Sequence, residues 1–104
     1  MRYLRVLLLM ISSVPAHSQH IGDVALGMQY AEMVCSPCHA VHARETNSPV
    51  EGATPFQIVA DSSGITANAL TAWLQTSHPT MPNIIMTDEE MRNVIEYILG
   101  LKTK

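Results

Sequence analysis

Apolar residues recur at helical spacing in several stretches of the chain, and no stretch alternates convincingly every two residues. The first such stretch, residues 23–34, follows Gly22 and Asp23, two plausible helix-capping residues. Its predicted apolar face is made by Val24, Met28, Ala31 and Cys35. Gly27 lies mid-helix, where glycine costs about 1 kcal/mol relative to alanine, so we expect it to have a packing reason.

The middle of the chain predicts a loop and two shorter helices. Residues 40–54 have no steady period and contain prolines, glycine and asparagine, which favours a loop. Residues 55–61 predict a short helix with Pro55 in its first turn, and residues 66–76 predict another. On that second helix one side is made by Leu70, Trp73 and Leu74. Two prolines then predict an extended segment around Met81.

The last helix has the clearest start signal in the chain. Thr87 and Glu90 have the spacing of a capping box, and the intervening acids suit the positive end of a helix dipole. Gly100 is placed where a C′ glycine would end the helix. Its predicted buried stripe consists of Met91, Val94, Ile95, Ile98 and Leu99. The fold class predicted from all these patterns is all-α.

The first 18 residues have the order of a secretory signal peptide. Arg2 and Arg5 precede an apolar run over residues 6–11, and small residues follow at a spacing that predicts cleavage after Ala16 or Ser18. The run is far short of the roughly 20 residues that a membrane-spanning helix needs. We therefore expect a periplasmic protein whose mature domain, residues 19–104, has no transmembrane segment.

Removal of that segment makes the protein more acidic. The full chain has six basic and nine acidic residues, and the mature chain keeps four basic residues against nine acidic ones, a formal charge of −5. The four basic residues are scattered, so no basic face is expected to bind nucleic acid or an acidic lipid surface.

The two cysteines of the chain stand in the sequence CSPCH, residues 35–39. A disulfide between Cys35 and Cys38 would close a tiny loop and leave His39 without a role. A thioredoxin-type dithiol needs a cysteine pair that follows a strand and starts a helix, whereas this pair follows a predicted helix. A zinc site would need the adjacent residues Cys38 and His39 to bind the same ion from different directions, which neighbouring residues do poorly. Attachment of haem c explains all three residues, with thioethers at the two cysteines and His39 as the proximal iron ligand.

The sixth position of the iron has several candidate ligands in the sequence: Met81, Met86, His42 and His78. His42 lies three residues from His39 and could not reach the opposite side of the haem. Met81 lies in the sequence HPTMPN, where a stiff proline-flanked loop would hold a thioether in place. Met28 and Met33 are expected to be packing residues of the first helix.

The chain resembles the class I c-type cytochromes, in particular the small bacterial periplasmic cytochromes with one haem. The matching elements are GMQY at residues 27–30, CSPCH, Pro49, the Pro55–Phe56 pair, AWL at residues 72–74, HPTMPN and the closing EYILGL. This resemblance implies a bundle of three to four helices around one haem, whose first and last helices cross at Gly27 and Tyr97. It also implies that Met81 is the distal ligand, that the Pro49 carbonyl accepts a hydrogen bond from His39 and that Trp73 packs by the haem edge.

The resemblance predicts a one-electron carrier rather than an enzyme. We expect a monomer that meets its redox donor and acceptor transiently. Mitochondrial-type relatives dock through a ring of lysines that this sequence lacks, so the identity of the redox partner cannot be inferred from those relatives. Three alternatives stay open: a haem enzyme or gas-binding protein with an open sixth site, an electron-accepting subunit of a periplasmic dehydrogenase, and a haem-free interaction domain with a disulfide.

Overall fold

A computed structural model of the chain describes residue 13 and residues 21–76 and 81–103. Within these ranges the chain forms four α-helices and no strand: α1 Val24–Tyr30, α2 Phe56–Asp61, α3 Ala67–Leu74 and α4 Asp88–Gly100. The all-α prediction is confirmed. The predicted signal peptide lies outside the described residues except for Ser13, and so does His78. None of the described helices is both long and apolar enough to span a membrane.

Helix α1 begins where Asp23 caps it and ends in a wider turn. The Asp23 carboxylate accepts a hydrogen bond from the Leu26 N–H at 3.0 Å. After Tyr30 the helix widens into a π-helical segment, Ala31–Cys35, in which the Ser36 N–H donates to the Ala31 carbonyl at 2.9 Å. Single π turns of this kind are frequent at functional sites, and this one ends at the first cysteine of CSPCH.

Helices α1 and α4 cross with their backbones in close contact at Gly27. A Cβ atom at this position would overlap the Asn93 carbonyl and lie 2.9 Å from the Tyr97 Cβ. The crossing of Gly27 and Tyr97 that the resemblance implied is therefore confirmed, and it gives the mid-helix glycine its packing reason. A hydrogen bond also joins the start of α1 to α4: the Asp23 N–H donates to the buried Asn93 side chain at 2.7 Å.

The predicted apolar face of α1 is partly wrong. Ala31 is buried, but Val24 is 51% exposed, and Met28 and Met33 are exposed as well. The reason is the close crossing: only a helix face centred on glycine can meet the α4 backbone, so Gly27 and Ala31 turn inwards in place of the larger apolar residues.

Helices α2 and α3 form close to the predicted ranges. Pro55 is the N-cap of α2 rather than its first helical residue, and the Thr66 side chain caps α3 by accepting from the Ala69 N–H at 3.1 Å. Leu70 is fully buried, whereas Trp73 is 59% exposed, so the predicted side of α3 is only partly directed into the core.

Helix α4 has the predicted capping box. The Thr87 hydroxyl accepts from the Glu90 N–H at 3.1 Å, and the Glu90 carboxylate accepts from the Thr87 N–H at 3.0 Å. The predicted C′ role of Gly100 is wrong, because the helix continues through Gly100 and is capped at Leu101.

The core lies along α4. The predicted stripe is buried at Val94, Ile95 and Ile98 and partly buried at Met91 and Leu99. It is completed by residues of the other helices and of the loop after CSPCH: Ala31, Val41, Phe56, Ala60 and Leu70. Asn93 and Tyr97 are buried too, which the apolar pattern did not predict because both side chains carry polar groups.

Candidate haem-attachment site

The CSPCH segment forms a tight turn at the end of the π-helical segment. The Cys35 carbonyl accepts from both the Cys38 N–H at 3.1 Å and the His39 N–H at 2.9 Å. Cys35 and Cys38 are not joined by a disulfide, and both are partly exposed. These hydrogen bonds hold the five residues in one turn, which brings two thiols and an imidazole together.

The imidazole of His39 is held by a backbone carbonyl. Its Nδ1 lies 2.7 Å from the Thr54 oxygen. A carbonyl oxygen can only accept, so Nδ1 carries the proton and donates, and the Nε2 lone pair remains available to a metal. A carbonyl partner of this kind fixes the tautomer and raises the basicity of a ligating histidine.

The acceptor is therefore Thr54 and not Pro49, which corrects the residue that the resemblance implied. Two backbone hydrogen bonds explain why Thr54 is the acceptor. The Val50 N–H donates to the Cys38 carbonyl at 3.2 Å, and the Phe56 N–H donates to the Ala40 carbonyl at 2.9 Å. The second bond pairs the residue after His39 with the start of α2, which brings the Thr54 carbonyl to the ring. Pro49 itself is exposed in the loop, and a contact between Pro49 and haem stays a prediction.

The ring of Phe56 supports the same imidazole. The centroids of the Phe56 and His39 rings are 5.5 Å apart, with their planes tilted by 47°. Phe56 is buried at the first position of α2, so the orientation of His39 is tied to the core. Sequence reasoning noted the Pro55–Phe56 pair but did not assign Thr54 or Phe56 to the site. The only available signal was their position at the start of a predicted helix.

The environment of Cys35 argues against redox dithiol chemistry. Burial, and then the charge of Cys38, raises the pKa of the Cys35 thiol to about 11. Redox-active cysteine pairs instead depend on a thiol whose pKa is lowered, because the thiolate is the nucleophile. In addition, no three His, Cys, Asp or Glu side chains of the described ranges converge as metal ligands, so a zinc site made from Cys35, Cys38, His39 and His42 is not assembled there.

The candidate distal ligands are distributed as follows. Met81 and Met86 are half-buried in the irregular segment that leads into α4. His42 lies on the surface, where its Nε2 is 3.7 Å from a carboxylate oxygen of Glu32. His78 lies outside the described residues. The ligand role of Met81 stays a prediction.

Comparison with known protein families gives a match over most of the chain. Residues 24–102 match the family model for cytochrome c. The chain belongs to the cytochrome c family. Members of this family bind haem covalently and transfer electrons. Comparisons with curated proteins and with solved structures found no significant match.

The cytochrome c assignment agrees with the donors that the chain presents. Haem c requires two thiols and a histidine that can offer a nitrogen lone pair, and Cys35, Cys38 and His39 meet these requirements. Large apolar side chains remain exposed at Val50, in the loop bonded to Cys38, and further along the chain at Trp73 and Ile85. An exposed apolar side chain next to the donors, such as Val50, is what a large apolar cofactor would cover. The cofactor is haem c, attached through Cys35 and Cys38.

Proposed function

We propose that this cytochrome c is a periplasmic one-electron carrier whose haem iron is ligated by His39 and Met81. The observation that carries the proposal is the hydrogen bond from His39 Nδ1 to the Thr54 carbonyl at 2.7 Å. It presents Nε2 as a neutral donor of fixed direction. The haem, when bound, supplies the one-electron couple of its iron.

The protein holds the proximal side with little freedom to rearrange. Cys35 and Cys38 anchor the cofactor at two points of one turn, and His39 is restrained by Thr54 and by the Phe56 ring. Because these restraints belong to the backbone and the core, they are the same whichever charge the iron carries. A ligand set that does not move suits rapid electron transfer.

The distal assignment rests on the sequence around Met81. Pro82 follows it directly, and the side chain is half-buried in an irregular segment. A methionine thioether is a neutral, soft ligand, and His/Met ligation raises the reduction potential of haem. Trp73, exposed on α3, is the aromatic that we propose to pack by the haem edge.

The proposed carrier works as a monomer that meets a redox donor and a redox acceptor in turn. Export follows from the signal-peptide pattern of residues 1–18. The formal charge of −5 in the mature chain favours partners with basic docking surfaces.

A visible spectrum of the matured protein tests this proposal. The protein is produced in cells with an intact haem-attachment system and measured oxidised, reduced, and reduced under carbon monoxide. We expect sharp low-spin bands in the reduced state and no response to carbon monoxide. A high-spin spectrum that shifts at once with carbon monoxide would instead indicate an open sixth position and a ligand-binding or catalytic protein.

A further inference from the structure

A groove of about 450 Å³ lies between α1 and the start of α4, and none of the residues assigned to the haem site lines it. Its lining comes from α1, the π-helical segment that follows it, the capping residue of α4 and α4 itself: Leu26, Gln29, Tyr30, Met33, Thr87, Glu89, Glu90 and Asn93. The α1 side of this groove is mostly apolar, whereas the α4 side is polar and acidic. We call it the α1–α4 groove.

The apolar side of the α1–α4 groove is unusually open to solvent. Met33 is 73% exposed and Leu26 is also exposed, although both lie in the helical stretch that packs against α4. Large apolar side chains gathered in a concave surface mark interaction sites more often than single exposed residues do. Methionine adds adaptability, because its flexible thioether can adjust to the shape of a partner.

The other side of the groove is negatively charged. Glu89 and Glu90 line it, and no basic residue is among the lining residues in the described ranges. Tyr30 and Glu90 both line the groove. Burial, and then the nearby Glu90 charge, raises the pKa of Tyr30. Glu90 is engaged in the capping box, whereas no hydrogen bond of the Glu89 side chain occurs within the described ranges, so Glu89 can meet an incoming cation.

We propose that the α1–α4 groove docks a basic amphipathic segment of a redox partner, with an apolar side chain against Leu26 and Met33 and a lysine or arginine against Glu89. This inference rests on the proposed electron-carrier function. Met33 lies in the same π-helical segment as Cys35, two residues before it, so the groove is joined to the haem-attachment turn through this segment of backbone.

Charge favours this occupant over a second copy of the chain. Two copies that met through the α1–α4 groove would bring Glu89 and Glu90 of each together, and each mature chain has a formal charge of −5. Like charges brought together across an interface disfavour association. A partner segment with basic residues removes that penalty and gains electrostatic attraction.

The test uses the mature holoprotein and two synthetic helical peptides as probes. One peptide has leucines on one face and lysines on the other, and the second has glutamates in place of the lysines. Binding is measured by titration calorimetry at low and at physiological salt. We expect the lysine peptide alone to bind, with an affinity that falls as salt screens the contact.

Four variants locate the binding site. Glu89→Lys and Met33→Gln should each weaken the lysine peptide by about fivefold or more. Glu51→Lys makes the same charge change in the exposed loop, and Met28→Gln makes the same change on α1 outside the groove, so both should stay within about twofold of the parent.

Equal binding of the two peptides would overturn the proposal, and so would an equal loss in Glu51→Lys. Dimerisation that sedimentation detects and that Met33→Gln abolishes would assign the groove to a second copy instead. The visible spectrum of each variant separates this test from the proposed function. A parent protein that responds to carbon monoxide fails as a His/Met carrier, whereas the peptide titrations judge the groove independently.

Discussion

At the scale of single residues, the proposed distal ligation of the haem iron depends on the side chain of Met81. Met81→Ala should keep the covalent haem, because Cys35, Cys38 and His39 are unchanged, but it should open the sixth position and lower the reduction potential. Carbon monoxide binding and redox titration measure both effects. Met86→Ala, a half-buried methionine of the same irregular segment, is the matched control. If Met86→Ala and not Met81→Ala opened the iron, the distal ligand would be Met86.

Tyr97 joins α4 to the chain just beyond the haem site. Its hydroxyl donates to the Val41 carbonyl at 2.6 Å in the buried core, two residues after His39. Tyr97→Phe leaves that carbonyl without its donor, so we expect the free energy of unfolding to fall by roughly 1–2 kcal/mol. Tyr30→Phe is the control, since the Tyr30 hydroxyl makes no hydrogen bond within the described ranges. Urea unfolding of the holoprotein measures both variants, and equal losses would contradict the role given to Tyr97.

The same hydroxyl gives this contribution a pH dependence. Burial, and then the charges of Glu32 and Glu45, raises the pKa of Tyr97 above the ordinary value of 10.0. A raised folded-state pKa means that the stabilisation is fully present below the unfolded pKa and is lost as pH rises through the folded one. The difference between the parent and Tyr97→Phe should therefore be constant around neutral pH and shrink above about pH 10. A difference that stayed constant into that alkaline range would contradict this assignment.

At the scale of helices, the α1–α4 crossing depends on the absence of a side chain at Gly27. Gly27→Ala would force the two helices apart, because the added Cβ overlaps the Asn93 carbonyl. We expect a loss of about 1–3 kcal/mol, typical of overpacking, in thermal or urea unfolding.

Gly100→Ala is the matched control for that substitution. Gly100 lies in the last turn of α4, and a Cβ there meets no atom within 4 Å. The exchange should be neutral or stabilise the protein by up to about 1 kcal/mol, because alanine favours the helix. Similar effects at the two glycines would show that helix propensity, and not the crossing, decides the result.

Gln57 connects α2 to two segments far away along the chain. The buried side chain accepts from the Arg44 N–H at 2.9 Å and donates to the Leu101 carbonyl at 2.8 Å and to Asp61 at 2.9 Å. Arg44 has a φ of 64°, a conformation that costs energy for a non-glycine residue and is held here by this bond. The loop between His39 and α2 is thereby fixed to the C-terminal end of α4.

Gln57→Leu should remove all three bonds and leave the Arg44 N–H and the Leu101 carbonyl unpaired. We expect a loss of roughly 2–4 kcal/mol of unfolding free energy. Gln75→Leu, at an exposed glutamine that ends α3, should change the stability by less than about 0.5 kcal/mol. A loss at Gln57 no larger than the loss at Gln75 would show that the three bonds add little.

At the scale of the whole molecule, the net charge depends on whether the first residues are removed. We expect the mature protein to begin at His17 or Gln19, with one haem attached. Intact mass and N-terminal sequencing of the periplasmic protein measure both properties together. A protein that still began at Met1 would contradict both the predicted cleavage and the charge of −5.

Much of the fold could be predicted because its signals are local. The capping box of Thr87 and Glu90 involves residues three apart, and each helix was predicted within a few residues of its observed bounds. The CSPCH motif is equally local, since few kinds of site use two thiols and an imidazole within five residues. The all-α class, the family and the covalent cofactor follow from these short-range patterns.

Only the tertiary structure decided which groups meet across the fold. Met28 and Met33 were predicted to pack, but the crossing at Gly27 turns other residues inwards. The acceptor for His39 is Thr54 because a bond from Phe56 to Ala40 pairs two segments that are distant in sequence. Hydrophobic periodicity measures the preference of one helix at a time. Which face is buried, and which carbonyl is reached, depends on backbones brought together by the whole core.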